Sequence, residues 1–532
     1  MASVRPLLSA SQERTTLVPS MVLRGNAFAP STVVPKSFLK FRPLRQPQFN
    51  RRSSSTSSQP SSTPTAASRS IHSSSTTRQA GTSLGHDDTI FPHRITPKPE
   101  SPIPSSEMAD KTPLSILPLH TILRSLAVTT ISSSPLLLPP SLAIMSLLAH
   151  TTSPILNPDH NPILRRLIKS TFYAQFCAGE TAAEVRNTIA RLKGLGFSGV
   201  ILGYAREVVL TEAQTKDLAS CGLQGDVAEE CIKSEVVPWA NGTLETVRLA
   251  SEGDYVALKF TGAGRQALWT LSQRLPPPTA LANAIDEICT LAAARGVRLL
   301  FDAEQQAIQH GIDDWTLSYM RKYNTSRKAV IYGTYQAYLK ATPAVLAGHL
   351  QAARSEKFTL GVKLVRGAYL GSDPRELIHD TKADTDACYD GIAEALLRRK
   401  WIGPLTAHAP TDAAADFPDV NMVLASHNAE TVRRGRAILA EGPTTTEVAF
   451  AQLQGMADEV SCDILAAKQR GKESAQDLRA YKYLVWGSTG ECMKYLLRRA
   501  QENRDAVGRT RNGRDAMRGE VLRRVKAVFG MA

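Results

Sequence analysis

The stretch YLLRRAQEN, Tyr495 to Asn503, sets two arginines beside an aromatic ring and an acid. On a helix Tyr495, Arg498, Arg499 and Glu502 fall at i, i+3, i+4 and i+7, a single stripe. A guanidinium fork grips a carboxylate through two parallel bonds, and two forks together fix its position. The same stripe also reads as an exposed helix with an internal Arg/Glu pair. Doubled arginines recur at Arg165, Arg398, Arg433 and Arg523 on stretches with the composition of solvated surface. Spacing alone leaves both readings open, so the neighbours must decide.

Further polar residues stand at the ends of apolar runs. Lys259 lies in YVALKFTG, Asp302 near the end of GVRLLFDAE, and Gln336 closes KAVIYGTYQ. GVKLVRGAY carries Lys363, Arg366, Gly367 and Tyr369, and NMVLASHN ends in Ser426, His427 and Asn428. Structural loops do not need a lysine, a carboxylate, a glutamine and a histidine facing one opening, so a polar binding mouth is expected.

The elements that must position these residues alternate along the chain. Eight apolar or β-branched runs read as strands: 171–179, 198–205, 255–262, 296–304, 328–336, 361–369, 421–428 and 447–456. Helix-like segments such as Thr181 to Lys193, Ala383 to Lys400 and Ala429 to Leu439 separate them. Near-continuous apolar strands alternating with helices predict an α/β fold, a (β/α)8 TIM-like barrel, with a doubly wound open sheet as the alternative. In a barrel the working residues gather at the C-terminal ends of the strands, where the polar residues above fall. GAGRQA, Gly262 to Ala267, has the form of a dinucleotide fingerprint but opens the third strand-helix unit instead of the first, and it reads as a tight turn.

The 532 residues, 42% of them apolar, suffice for a large buried core, and the net charge of +14 raises the question of an anionic partner. Residues 1–100 hold thirteen basic and only four acidic side chains, a net +9 that leaves +5 for the rest. The body is therefore nearly balanced, which speaks against a nucleic-acid partner. An Arg- and Ser-rich, acid-poor N-terminus with short apolar patches has the composition of a mitochondrial presequence, followed by a Ser/Thr-rich linker to residue 110. Residues 111–170 read as an apolar helical arm. Arg124, the serines at 132–134 and the prolines at 135, 139 and 140 cut it below the roughly 20 residues a bilayer span needs. Two short apolar helices, packed on the body or lying on a membrane surface, are expected. The barrel is assigned to 171–510 and a basic tail to 511–532, with 206–254 an unassigned insertion. Seven scattered cysteines without CxxC or Cys/His clustering predict reduced thiols and no metal site.

DAEQQ (302–306), IYGTYQAYLK (331–340), GVKLVRGAYL (361–370), ASHN (425–428), FAQLQGM (450–456) and YLVWGSTGECMKYLLRRAQEN (483–503) resemble, in order, the motifs of proline dehydrogenases. The resemblance covers about Thr171 to Arg504. It implies a distorted barrel with FAD across the strand C-terminal ends. L-Proline is oxidised there to Δ1-pyrroline-5-carboxylate, and the electrons pass to a quinone at the matrix side of the inner mitochondrial membrane, where the enzyme is bound peripherally. Carried over to this chain, Arg498, Arg499 and Lys259 hold the substrate carboxylate and Asp302 orients Lys259. Leu364, Tyr369, Tyr483 and Tyr495 shape the ring pocket. Gln336, Lys363, Gly367, Ala368, Thr381, Lys382, Ser426, His427, Asn428 and Glu502 surround the flavin. VWGSTG departs from proline-containing versions of that turn, and Lys363 stands where some members have arginine. The sister group, hydroxyproline dehydrogenases, tends to carry a smaller polar residue at Tyr483, so that tyrosine points to proline. A catalytically dead membrane-associated scaffold is the alternative from another class, and it has no need of paired arginines at the mouth.

Overall fold

The computed structural model describes residues 112–531 apart from 152, 207–224, 326, 407–415, 443, 471–477 and 506. The leader and linker expected over 1–110, and Cys221, lie outside the described residues. Eight parallel strands, each hydrogen-bonded to the next in sequence, close into a barrel: β1 Gly199–Tyr204, β2 Tyr255–Leu258, β3 Arg298–Phe301, β4 Ile331–Gln336, β5 Leu360–Val365, β6 Val420–Ala425, β7 Glu447–Leu453 and β8 Ala480–Trp486. The expected barrel is thus present, but one of the eight predicted runs is not a strand and one strand of the barrel was not predicted. The run 171–179 is helical over Lys169–Phe176 and only Cys177 bridges to Val485. A short apolar run does not distinguish a strand from a buried helical turn, and Tyr173 and Phe176 bury themselves against Met493 and Leu496 of the last helix of the barrel. The strand that closes the barrel is instead β8, whose Lys482 breaks the apolar run and is buried on Asp458 at 2.7 Å.

Strand side chains alternate, as the period of two demands. Leu360, Val362 and Leu364 of β5 join the layer between barrel and helices, whereas Ile201, Ala257, Leu300, Val423 and Ala449 fill the interior. Leu364 therefore does not shape a pocket at the mouth. It is fully buried in the outer core, because its register places it on the opposite face from Lys363.

Helices cover the barrel: α1 Leu119–Ser133, α2 Leu138–His150, α3 Pro162–Ile168, α4 Ala182–Gly194, α5 Val237–Leu249, α6 Arg265–Ser272, α7 Thr279–Ala294, α8 Gln306–Tyr323, α9 Thr342–Glu356, α10 Lys382–Arg398, α11 Ala429–Ala440, α12 Asp458–Gln469, α13 Thr489–Asp505 and α14 Val507–Val528. The described part of the expected insertion is the β1–β2 crossover, α5 preceded by Asp226–Cys231 and a π-turn. The predicted arm helices are α1 and α2, bent at 103° to each other. α1 lies along α14 and α2 along α13. The stretch expected as a basic tail is therefore mostly helix packed on the arm. No single helix among the described residues is long and apolar enough to cross a membrane. Six cysteines are buried free thiols, as predicted for the described part of the chain.

GAGRQA is a tight turn. Gly264 sits at φ +92°, where a Cβ would strike Glu235, and Glu235 accepts the Arg265 backbone N–H at 2.6 Å. A carboxylate thus fills the helix N-terminus that a pyrophosphate would need.

Candidate active site

The polar rim residues converge where β2, β3 and β5 end. Lys363, an inward residue of β5, donates to Asp302 Oδ1 at 2.6 Å, and Lys259, just past β2, faces Oδ2 at 3.4 Å. The Asp302 side chain is 7% exposed and that of Lys259 28%, so the carboxylate is the buried anchor and the lysine the group that reaches the opening. Burial pushes the Asp302 carboxyl up, but Lys363 and Lys259 outweigh it and hold it below the usual aspartate range. Burial alone lowers the Lys259 ammonium, yet Tyr369 and the Asp302 and Glu304 carboxylates more than offset that, leaving it well above the ordinary lysine value. Asp302 is shared between both lysines, where the sequence had suggested Lys259 alone.

Tyr483, inward on β8, links this cluster to the last helix. The Lys363 ammonium lies 5.5 Å from the centre of its ring, and its ring packs both on the barrel interior and on the apolar cluster around Tyr495. On α13 the predicted stripe is real. Tyr495 and Arg499 are buried, Arg498 and Glu502 half-buried. Arg499 stacks on the Tyr495 ring at 4.9 Å and pairs with Glu502 at 2.5 Å. Tyr495 Oη and Arg499 Nε are buried without a hydrogen-bond partner in the structure. A buried donor left unmade costs about 1–3 kcal/mol, so these two atoms favour a polar ligand that meets them.

Two further neighbours complete the rim: Glu304, not singled out in the sequence, and Arg366, named there without a role. Glu304 is buried and accepts from the Thr261 amide at 3.0 Å and from its hydroxyl, tying the loop after Lys259 to β3. Burial raises its carboxyl above the usual glutamate range. It stands two residues beyond Asp302, so the strand period carried the signal. Arg366 bonds Asp386 at 2.7 Å, Ser426 Oγ at 2.8 Å and Thr431 Oγ1 at 2.9 Å, and it binds the ends of β5 and β6 together.

The residues expected around a flavin occupy the rim at β4–β6. Gln336 donates to the Glu304 carbonyl at 3.3 Å and accepts from the Ala368 amide at 3.1 Å. Gly367 and Ala368 are exposed, and Gly367 at φ +147° presses on the Tyr338 ring, leaving no room for a Cβ. Thr381 caps α10 in a capping box with Asp384, and the exposed Lys382 pairs with Asp386. His427 Nε2 accepts the Leu453 amide at 3.0 Å, while Asn428 caps α11, accepting from Glu430 N at 2.9 Å. The exposed Lys382 stands at the start of α10, and Arg366 ties that helix to the start of α11 through Asp386 and Thr431. The exposed Lys382 ammonium and the bare Gly367–Ala368 backbone are the rim groups that would meet a phosphate-bearing flavin, while Thr381 and Asp384 already cap the start of α10.

The family model described as proline dehydrogenase matches residues 185–512. The chain is 31% identical over 454 residues to the probable mitochondrial proline dehydrogenase of Schizosaccharomyces pombe, across 76% of this chain and 89% of that protein. It is 28% identical over 399 residues to the hydroxyproline dehydrogenase of Bos taurus, across 68% of this chain and 82% of that one. Proline utilization A from Bdellovibrio bacteriovorus, inactivated by N-propargylglycine, superposes with a TM-score of 0.52 at 18% identity. That match covers 73% of this chain and 41% of the longer protein, and it speaks for the fold.

Proposed function

The chain belongs to the proline dehydrogenase family, and from that premise we propose that it oxidises L-proline to Δ1-pyrroline-5-carboxylate with FAD as acceptor and a membrane quinone as the onward electron sink. The observation that carries the reading is one assembly: Lys259, Asp302 and Lys363 at the strand ends, joined through Tyr483 to the Tyr495–Arg499 stripe with its unpartnered polar atoms. When bound, FAD supplies a two-electron acceptor that no side chain offers.

The protein's own part is placement. Arg499, Arg498 and Lys259 grip the carboxylate of a small ligand, and Tyr369, Tyr483 and Tyr495 close around its ring, so that the reacting carbon is held in one orientation. Asp302, fixed by Lys363, keeps Lys259 charged and aimed. Gln336, Lys363, Gly367, Ala368, Thr381, Lys382, Ser426, His427 and Asn428, with Glu502 on the lid helix, hold the cofactor.

A mitochondrial location is supported by the Arg- and Ser-rich leader and by relatives named mitochondrial, and the matrix side of the inner membrane is the proposed place within it. Exposed Leu136, Ile144, Leu147, Ile155 and Ile163 supply an apolar surface suited to peripheral membrane contact. Similarity to hydroxyproline dehydrogenase sustains a second reading, oxidation of 4-hydroxyproline. Tyr483 favours proline, since a ring-facing phenol crowds a hydroxylated ring.

The test is anaerobic titration of the FAD-loaded protein with L-proline while the flavin bands are followed. Bleaching by proline, absent with alanine, is the expected result, and bands that ignore proline overturn the reading. Comparable kcat/KM values for proline and 4-hydroxyproline transfer it to the second substrate.

A further inference from the structure

The rim loop that carries Tyr369 is almost bare. From Gly367 to Leu377 every residue is exposed or half-exposed except Asp373, which is 7% exposed. Such a loop has no packing to hold it, so its shape depends on polar ties. Asp373 supplies them in two directions. Its carboxylate accepts the Tyr338 hydroxyl at 2.5 Å and the Gln306 backbone N–H at 2.9 Å, the latter from the first residue of α8. Its own backbone N–H donates to the Tyr369 carbonyl at 2.8 Å, beside that of Ser372 at 3.0 Å. Bonds to an ionised acceptor, one of them at a helix N-terminus, are the strong ones. Tyr369 is thereby tied to a carboxylate anchored on the loop after β4, through Tyr338, and on the first residue of α8, Gln306.

We propose that Asp373 is a positioning residue that fixes Tyr369 against Lys259 at the mouth, making a loop with no core of its own as well placed as a strand end. The proposal rests on the reading of Tyr369 as part of the proline pocket. Tyr338 is the second member of the latch, since it packs on Gly367 and bonds Asp373 at once.

The alternative is that Asp373 serves only as the N-terminal cap of α8. The full-length, FAD-loaded protein separates the two through Asp373→Asn, Tyr338→Phe, Tyr369→Phe and their pairwise combinations. Asp373→Asn is expected to lower kcat/KM for proline about tenfold, as one lost charge-assisted tie does. D373N/Y369F should then lie within about twofold of Y369F alone, because both act through one side chain. Amide hydrogen exchange without substrate should quicken across 367–378 in D373N. Losses that multiply in the double variant, or faster exchange confined to 306–310, overturn the proposal. Should D373N fail to fold, the Y338F cycle with Y369F decides in the same way. A wild-type protein inert toward proline strikes the proposed function instead, and the exchange measurement still decides on Asp373.

Discussion

The two ends of the barrel are both built from charges and tyrosines, yet they do opposite things. At the N-terminal end Arg298 pairs with Glu447 at 2.5 Å, and Arg479 joins the same carboxylate. Tyr255 meets Tyr332 and Tyr481 edge-on, with ring centres 5.5 and 5.1 Å apart, and Arg298 lies over the Tyr255 ring at 5.1 Å. At the C-terminal end Lys259 and Lys363 share Asp302, and the lysine nearer the opening keeps over a quarter of its surface. Unpartnered buried atoms occur at both ends, Arg298 Nε and Tyr332 Oη at one, Arg499 Nε and Tyr495 Oη at the other. Such atoms alone therefore do not mark a binding site. What separates the ends is closure: interlocked rings seal the first, while at the second the charge reaches a half-exposed rim. A polar cluster under an aromatic plug contributes stability, and one under an opening contributes function.

The sharpest break of this comparison exchanges the two outcomes. Arg298→Met strips Glu447 of its more buried partner and should destabilise the fold by about 3 kcal/mol, the scale for breaking a buried pair. Calorimetry reads the loss, and kcat/KM per folded molecule should stay within about twofold of wild type. A variant with normal stability and lost proline turnover would make the sealed end part of the site.

The converse is Arg499→Lys. The fold should barely change, but a point charge replaces a planar fork at the proposed carboxylate clamp, at a cost of about 1.5–3 kcal/mol in transition-state binding. Steady-state kinetics with proline should show most of it as a higher KM. An unchanged KM with a lowered melting temperature would reduce Arg499 to a structural partner of Tyr495 and Glu502.

Much of the mouth was legible from the sequence because strand ends advertise themselves: Lys259, Asp302 and Gln336 each sit where an apolar run gives way, Lys363 is a charge inside its run, and the barrel brings those places together. The stripe Tyr495–Glu502 was equally plain, since helical spacing determines one face. Three features were not legible. Leu364 needed the register, which an apolar run with a single charge does not announce. The helical turn at 169–176 was read as a strand and β8 was not read at all, because short apolar segments carry both periods poorly, and Lys482 hides its burial behind a partner 24 residues away, Asp458. Asp373 sits in a polar loop of ordinary composition, and only its partners Tyr338 and Gln306, far off in sequence, reveal it.

The smallest effect sharpens the comparison from the lid side. α13, which carries the arginines, begins on two carboxylates. Glu180 accepts from the Thr489 amide at 2.9 Å and its hydroxyl at 2.6 Å, and Asp159 accepts from Ser488 Oγ at 2.9 Å and the Gly490 amide at 2.8 Å. Glu180 also binds Arg165 and Lys169 from the arm, at 2.8 and 2.6 Å. Burial pushes the Glu180 carboxyl up, but those cations and Thr489 pull it down to about 2. A carboxyl depressed on folding contributes stability that is complete above its unfolded value near 4.5 and is lost as pH falls toward 2. Glu180→Gln should thus cost about 1 kcal/mol at neutral pH, the scale of a lost helix cap. The gap between wild type and variant should narrow below pH 4.5 and vanish near 2, every other carboxylate titrating alike in both. Asp159 still holds the helix start, so the KM for proline at neutral pH should move less than twofold. A gap that persists at pH 2 would mean that Glu180 acts through packing and not through its charge, and a KM that rises with the loss of stability would place the lid's anchor inside the clamp itself.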